Sequence, residues 1–237
     1  MIKQWILFNM NLTKQISLTT VILGITVVLF SLTDLDFPIQ DLFYNFTTQT
    51  WILDNDLQPY NFIFYTGIKK LLIVFALSFL IALVFFRKKA LIKEYQKGII
   101  IVIFSAILVP VIVGGLKKST NMPCPENEIH YGGVYPKTAV WESYPKDVEL
   151  KKIQCWPAGH ASGGFALLSL FFLFKTKRNQ FVSLAVALSI GWSMGLYKML
   201  VGDHFLSHTI ITMELAWLII LGVVKLVNLK YNQKIDD

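Results

Sequence analysis

Residues 98–116 read GIIIVIFSAILVPVIVGGL, nineteen positions without a charged side chain. The hydrocarbon core of a bilayer is about 30 Å thick, and a helix needs roughly 20 apolar residues to cross it. Five further apolar runs accompany this one, at about 16–32, 71–86, 157–174, 181–201 and 205–227. Backbone groups in lipid must find partners within their own segment, so each run is expected to be a helix. The expected fold is therefore all-α: a bundle of six transmembrane helices with an ordered outer loop between helices three and four. The chain reads as one integral-membrane domain over residues 1–237.

Composition agrees. Of 237 residues 54% are hydrophobic, and the mean hydropathy is +0.55, far above an ordinary globular domain. The first run resembles a signal peptide, but SLTDLDF follows it instead of an A-x-A-like cleavage site, so it reads as a retained span. The net charge of +7 is explained by topology. Arg87, Lys88, Lys89, Lys93 and Lys97 lie between spans two and three. Lys175, Lys177 and Arg178 lie between spans four and five, and Lys225, Lys230 and Lys234 end the chain. The positive-inside rule puts these, and both termini, in the cytoplasm. The loop 33–56 then faces outward with Asp34, Asp36, Asp41, Asp54 and Asp56. No basic patch with interleaved aromatics appears, so nucleic acid is not an expected partner.

The longest polar stretch, about 117–156, is dense in turn formers and lies on the outer side by this topology. Its length marks it as functional or disordered, and Tyr131, Tyr135, Trp141, Tyr144 and Trp156 favour ordered packing or interfacial anchoring. Cys124 and Cys155 both face the oxidising side. They form either a disulfide closing a loop of about 30 residues or two thiols. Neither reads as a phosphatase nucleophile: the arginine expected six residues on is His130 in one case and Ala161 in the other.

Polar and ionisable groups at membrane depth are functional candidates. They gather at the outer ends of spans: Lys117 and Lys118 close span three, His160 opens span four, and Lys198, Asp203, His204 and His208 sit between spans five and six. The lysines suit an anion. Gly159, Ser162, Gly163 and Gly164 surround His160 at a helix start, where free N–H groups bind phosphate and small side chains admit it closely. Two histidines can divide one reaction between nucleophile and general acid. The set reads as phosphate chemistry at a membrane surface.

These residues resemble the motifs of the type 2 phosphatidic acid phosphatase (PAP2) superfamily of integral-membrane lipid phosphatases, K-x6-R-P, P-S-G-H and S-R-x5-H-x3-D. Here they stand as Lys117…Cys124-Pro125, Pro157-Ala158-Gly159-His160, and Tyr197-Lys198…His204…His208. The likeness covers about 116–227 and is nearest to a divergent bacterial branch. It departs where Cys124 and Lys198 replace the family's arginines, Tyr197 its serine and His208 its aspartate. A cysteine cannot grip phosphate as an arginine does, which favours a structural disulfide at Cys124. The resemblance implies that His204 attacks phosphorus and that His160 protonates the leaving group. Lys117, Lys118, Lys198 and the Gly159–Gly163 backbone would hold the phosphate oxygens. It implies a phosphorylated membrane lipid as substrate, no metal or cofactor, and an outer-face site in a bacterial inner membrane. His208 is expected either to orient His204 or to act as scaffold. Asp203 and Glu214 are the alternative carboxylates, with Glu214 expected to pair with a cation or with His208. His130 is expected to be an ordinary loop residue. Lipid-to-lipid phosphotransfer, a metal-binding protein using His160, His204 and His208, and a non-catalytic relative are the alternatives.

Overall fold

The computed structural model describes residues 11–54, 59–145 and 150–236, with side chains through 233. Of the residues used above, Asp56 and the Lys234 side chain lie outside it. Asn11 starts the first helix by accepting the Lys14 N–H on its side-chain oxygen at 2.9 Å, which makes it an N-cap. Helix α1 then runs Leu12–Leu32 with no buried residue. It packs along the last helix, where Thr26 donates to Glu214 Oε1 at 2.9 Å. Glu214 thus pairs with a hydroxyl on α1, not with a cation or His208. A carboxyl in mid-span needs only a donor within reach, and α1 supplies one.

Next come a short helix α2 (Asp36–Gln40) and a two-stranded antiparallel hairpin, β1 (Tyr44–Asn45) with β2 (Thr50–Trp51), with Tyr44 opposite Trp51. Asn45 Oδ1 accepts the N–H groups of Thr47 and Thr48 at 2.9 and 3.2 Å and so builds the turn. A π-helical turn, Phe62–Thr66, leads into α3 (Gly67–Phe85), and α4 spans Ala90–Ser119. Gly98, Val102, Ser105, Val109 and Val113 of α4 are buried, a recurrence of three or four residues that makes one face. Helix α5 (Gly159–Ala166) tightens into a 3-10 helix over Leu167–Phe172. Helices α6 (Lys177–Leu200) and α7 (Leu206–Asp236) complete the chain.

The fold is all-α and membrane-like. Among the described residues five helices are long and apolar enough to cross a bilayer: Leu12–Leu32, Phe62–Phe85, Ala90–Ser119, Lys177–Leu200 and Leu206–Gln233. The expected fourth span is shorter than the rest. Its eight α-helical and six tighter residues reach about 24 Å, against about 30 Å of hydrocarbon. Most of this helix is buried among α4, α6 and α7. A Cβ on Gly164 would lie 2.7 Å from Gly191 Cα; two glycines bring the α5 and α6 backbones together. The core around this crossing is Val109, Val113, Phe165, Ala187, Ala216 and Ile220, all fully buried.

Candidate functional site

The turn that carries His204 is a helix stop. The Asp203 N–H bonds the Lys198 carbonyl at 2.8 Å and the Gly202 N–H bonds the Met199 carbonyl at 3.1 Å. Gly202 adopts φ +80°. This is the Schellman arrangement, which needs a left-handed residue after the helix. The Trp51 indole of β2 lies against Gly202 so closely that a methyl there would overlap it. Gly202→Ala is therefore expected to cost about 3 kcal/mol, left-handed strain plus overpacking. The check is a lowered thermal unfolding midpoint in detergent.

His204 follows directly, its N–H on the Lys198 carbonyl at 3.2 Å. Lys198 is buried, and a buried ammonium requires a partner. Its Nζ meets Asp203 Oδ2 at 2.5 Å and lies over the rings of Tyr65 and Tyr197 at 5.0 and 5.5 Å. Asp203 thus serves Lys198 and not a histidine.

The start of α7 is capped from outside. Asp36 Oδ1 accepts the Ser207 N–H at 2.9 Å and Oδ2 accepts the Ser207 hydroxyl at 2.5 Å, satisfying orphan donors of the first turn. Gln40 Nε2 donates to the Met199 carbonyl at 2.8 Å, at the end of α6. Burial pushes the Asp36 carboxyl up to about 6, against the lowering effect of its Ser207 hydrogen bonds and of Lys137. The folded protein therefore holds this proton more tightly than the unfolded chain. The associated stability is complete below about pH 4 and lost as pH rises through about 6. Asp36→Asn is expected to shrink that decline in a series of unfolding curves between pH 4 and 7.

The segment before His160 is tied to two helices. A disulfide joins Cys124 and Cys155, with Cα atoms 5.2 Å apart. The Cys155 N–H bonds the Met122 carbonyl at 3.1 Å, and the Thr120 hydroxyl donates to the Trp156 carbonyl at 2.8 Å. After a cis Trp156–Pro157 peptide, the Ala158 N–H reaches the His208 carbonyl at 3.3 Å. Helix α5 begins at the next residue, and its second residue is His160.

His160 Nδ1 lies 3.1 Å from His204 Nε2, and the two ring centroids are 5.3 Å apart. His204 and His208 are both buried, with centroids 5.7 Å apart. Among the described residues His204 Nδ1 and both His208 ring nitrogens have no hydrogen-bond partner. The Cys155 backbone faces His208 without reaching hydrogen-bond geometry. Burial, then His160 and His208, then the ammonium groups of Lys117 and Lys198, hold His204 well below the ordinary imidazole range.

The stem of Lys117 covers Gly159, with Cδ 3.6 Å from where a Cβ would stand. Ser162 turns its hydroxyl to the Gly159 carbonyl at 2.7 Å, and Gly163 abuts Leu72. Gly159, His160, Ser162 and Gly163 line a cavity of about 480 Å³ between α3, α4 and α5. Lys118 is exposed. The structure thus brings His160, His204, His208, Lys117, Lys198, Gly159, Ser162 and Gly163 to one level. His130 meets Asp41 at 2.8 Å and stacks on Phe37.

Sequence reasoning missed four neighbours. The Tyr65 ring stands edge-on to His160, with centroids 4.9 Å apart. Lys69 lines the same cavity. Asp36 caps the turn beyond His204. Glu126 bonds the Gly202 carbonyl through its N–H at 3.0 Å, and burial first, then Asp203, raises its carboxyl against the effect of Lys198. A lysine near the outer end of an apolar span was the one available signal, for Lys69. Among the described residues no group of three His, Cys, Asp or Glu side chains is placed to hold a metal ion.

The family model of the PAP2 superfamily matches residues 98–232, more than half of the chain. The chain belongs to the PAP2 superfamily. No curated protein and no solved structure matches it significantly. All three PAP2-like motifs fall within the matched residues. PAP2 proteins are in general phosphatases acting on phosphorylated substrates, and phosphatase chemistry is the coarse assignment here. Asp36, Trp51, Tyr65 and Lys69 lie outside the PAP2 match yet adjoin its site.

Proposed function

We infer that the protein is an integral-membrane lipid phosphatase working through a phosphohistidine. The observation that carries this reading is the 3.1 Å approach of His160 Nδ1 and His204 Nε2 at the head of an apolar cavity. Reacting atoms approach to about 3–3.5 Å before bond formation. A phosphoryl group therefore enters by displacing this contact and standing between the two rings. His204 Nε2 then attacks phosphorus, forming the N–P bond as the P–O bond to the lipid breaks. His160, carrying protons on both nitrogens, gives one to the departing oxygen. The negative phosphate is the counter-ion for that second proton. In the second half, His160 takes a proton from water, the water oxygen attacks phosphorus, and N–P cleavage releases inorganic phosphate.

Lys117, Lys198 and the Gly159–Gly163 backbone balance charge on the transferring group, with Lys118 at the exposed rim. His208 orients His204: their unpartnered buried nitrogens sit on adjacent rings, and a small rotation pairs them once His204 moves toward substrate. The positive-inside pattern supports a site on the outer face of a bacterial inner membrane, with both termini cytoplasmic. The test is acid-free trapping with a lipid substrate carrying a ³²P-labelled terminal phosphate. An acid-labile, base-stable label on the His204 peptide is expected; label on another residue, or none under single-turnover conditions, would overturn the mechanism.

A further inference from the structure

Two ammonium groups act on both facing imidazoles. Around His160 the strongest charge is Lys198, followed by Lys117 and Lys69. Around His204, after its two histidine neighbours, come Lys117 and Lys198. A phosphate monoester carries about two negative charges at neutral pH, which the two ammonium groups would balance if they stood alone. They do not. Asp203 Oδ2 meets Lys198 Nζ at 2.5 Å. The same carboxylate is the strongest charge acting on Lys117, ahead of Lys198, and it acts on Glu126 of the outer loop as well. A negative group therefore lies within the field of the two cations that the phosphate needs.

The two members of this pair are held differently. Lys198 is buried, and its Nζ has a second support in the rings of Tyr65 and Tyr197, at 5.0 and 5.5 Å. An ammonium over two aromatic faces keeps its place when its anion is exchanged. Asp203 is anchored through its main chain, by the N–H bond to the Lys198 carbonyl at 2.8 Å. Its side chain is 16% exposed, against 5% for that of Lys198. A carboxylate within reach of water can turn about its own side-chain bond and be solvated again, which a fully buried one cannot do without cost. The ammonium is also a point charge without the fork that would lock a carboxylate bidentately. The cation is fixed and the carboxylate is exchangeable.

We propose that Asp203 is a positioning residue that competes with phosphate for Lys198 and Lys117, so that its carboxylate sets how tightly the site holds a phosphate group. This rests on the phosphatase reading. An arriving phosphate, with more charge and more acceptor oxygens than a carboxylate, takes Lys198 as Asp203 turns to water. Once hydrolysis has left inorganic phosphate, the carboxylate returns to the ammonium and helps to expel the product. Asp203 touches neither imidazole; it acts through Lys198. Because substrate and product meet the same competitor, the carboxylate raises KM and relieves product inhibition together.

The experiment measures binding of inorganic phosphate by titration calorimetry, and its inhibition of p-nitrophenyl phosphate hydrolysis. It uses the full chain in detergent with its Asp203→Asn, Lys198→Gln and doubly substituted forms. Asp203→Asn is expected to bind phosphate about fivefold more tightly or better, with KM for p-nitrophenyl phosphate falling in step. Adding Lys198→Gln is expected to cancel that gain. Loss of a merely structural contact would loosen the site, so the direction of the change separates the two roles. Asp203→Ser repeats the test with a smaller neutral side chain, and matched size-exclusion profiles verify folding. Unchanged or weaker phosphate binding in Asp203→Asn, a gain that survives Lys198→Gln, or failure of both neutral variants to accumulate overturns the competition. The phosphatase reading then stands as long as the unaltered chain releases phosphate from p-nitrophenyl phosphate. Phosphate binding that tightens in Asp203→Asn, in a chain that hydrolyses nothing, would uphold the competition and overturn the phosphatase reading.

Discussion

His204→Ala is expected to lower kcat for phosphate release by about 10⁴-fold or more while the protein still accumulates in the membrane. The size of the effect follows from what is removed. In the proposed mechanism His204 supplies the atom that bonds to phosphorus in the first half-reaction, and burial, with its histidine and lysine neighbours, disfavours the protonated ring that could not attack. The fold should tolerate the change, because among the described residues the imidazole makes one side-chain hydrogen bond, to His160. The turn around it is held by main-chain bonds to Lys198 and by Gly202. Size-exclusion behaviour and the unfolding midpoint serve as controls, and the ³²P label should vanish with the rate. A variant retaining more than a tenth of the activity would show that the nucleophile lies elsewhere.

The second large effect separates the two histidines. His160→Ala should reduce kcat by about 10²–10⁴ on substrates whose leaving group is a poor one, such as an alkyl alcohol. On p-nitrophenyl phosphate, whose leaving group departs without a proton, the loss should be less than about tenfold in formation of the phosphohistidine. Hydrolysis of that intermediate still needs a base, so label should accumulate on His204 in this variant. A uniform loss across leaving groups would assign His160 a binding role. His160 is held in place by Tyr65 and by the α5 start, so geometry and acidity are removed separately by comparing Ala with Gln at this position.

Much of this constellation is legible in the sequence. Lys117, His160, Lys198, His204 and His208 stand out because ionisable groups at the ends of apolar runs are rare, and their spacing fixes which helix ends must meet. The disulfide remained open on spacing alone, since Cα geometry decides it. The fourth apolar run, read as about 157–174, forms a helix over Gly159–Phe172, and hydropathy alone gave no sign that its second half tightens into a 3-10 helix. Asp36 and Trp51 were invisible as site residues because their roles arise from contacts over long sequence separations, whereas Lys69 carried one signal, a charge near the end of an apolar span. Asp203, an alternative carboxylate in the sequence, is taken up by Lys198 where the chain leaves helical geometry at Gly202.

The clamp formed by Asp36, Gln40 and Trp51 on the turn between α6 and α7 widens the functional unit beyond its recognisable boundary. A chain cut back to residues 98–232 would keep every signature of its superfamily, yet the helix stop that positions His204 would lose its bracing. Relatives sharing the signatures but diverging over the first ninety-odd residues can thus differ in how firmly, and at what acidity, that imidazole is aimed, with no change in the reacting groups themselves.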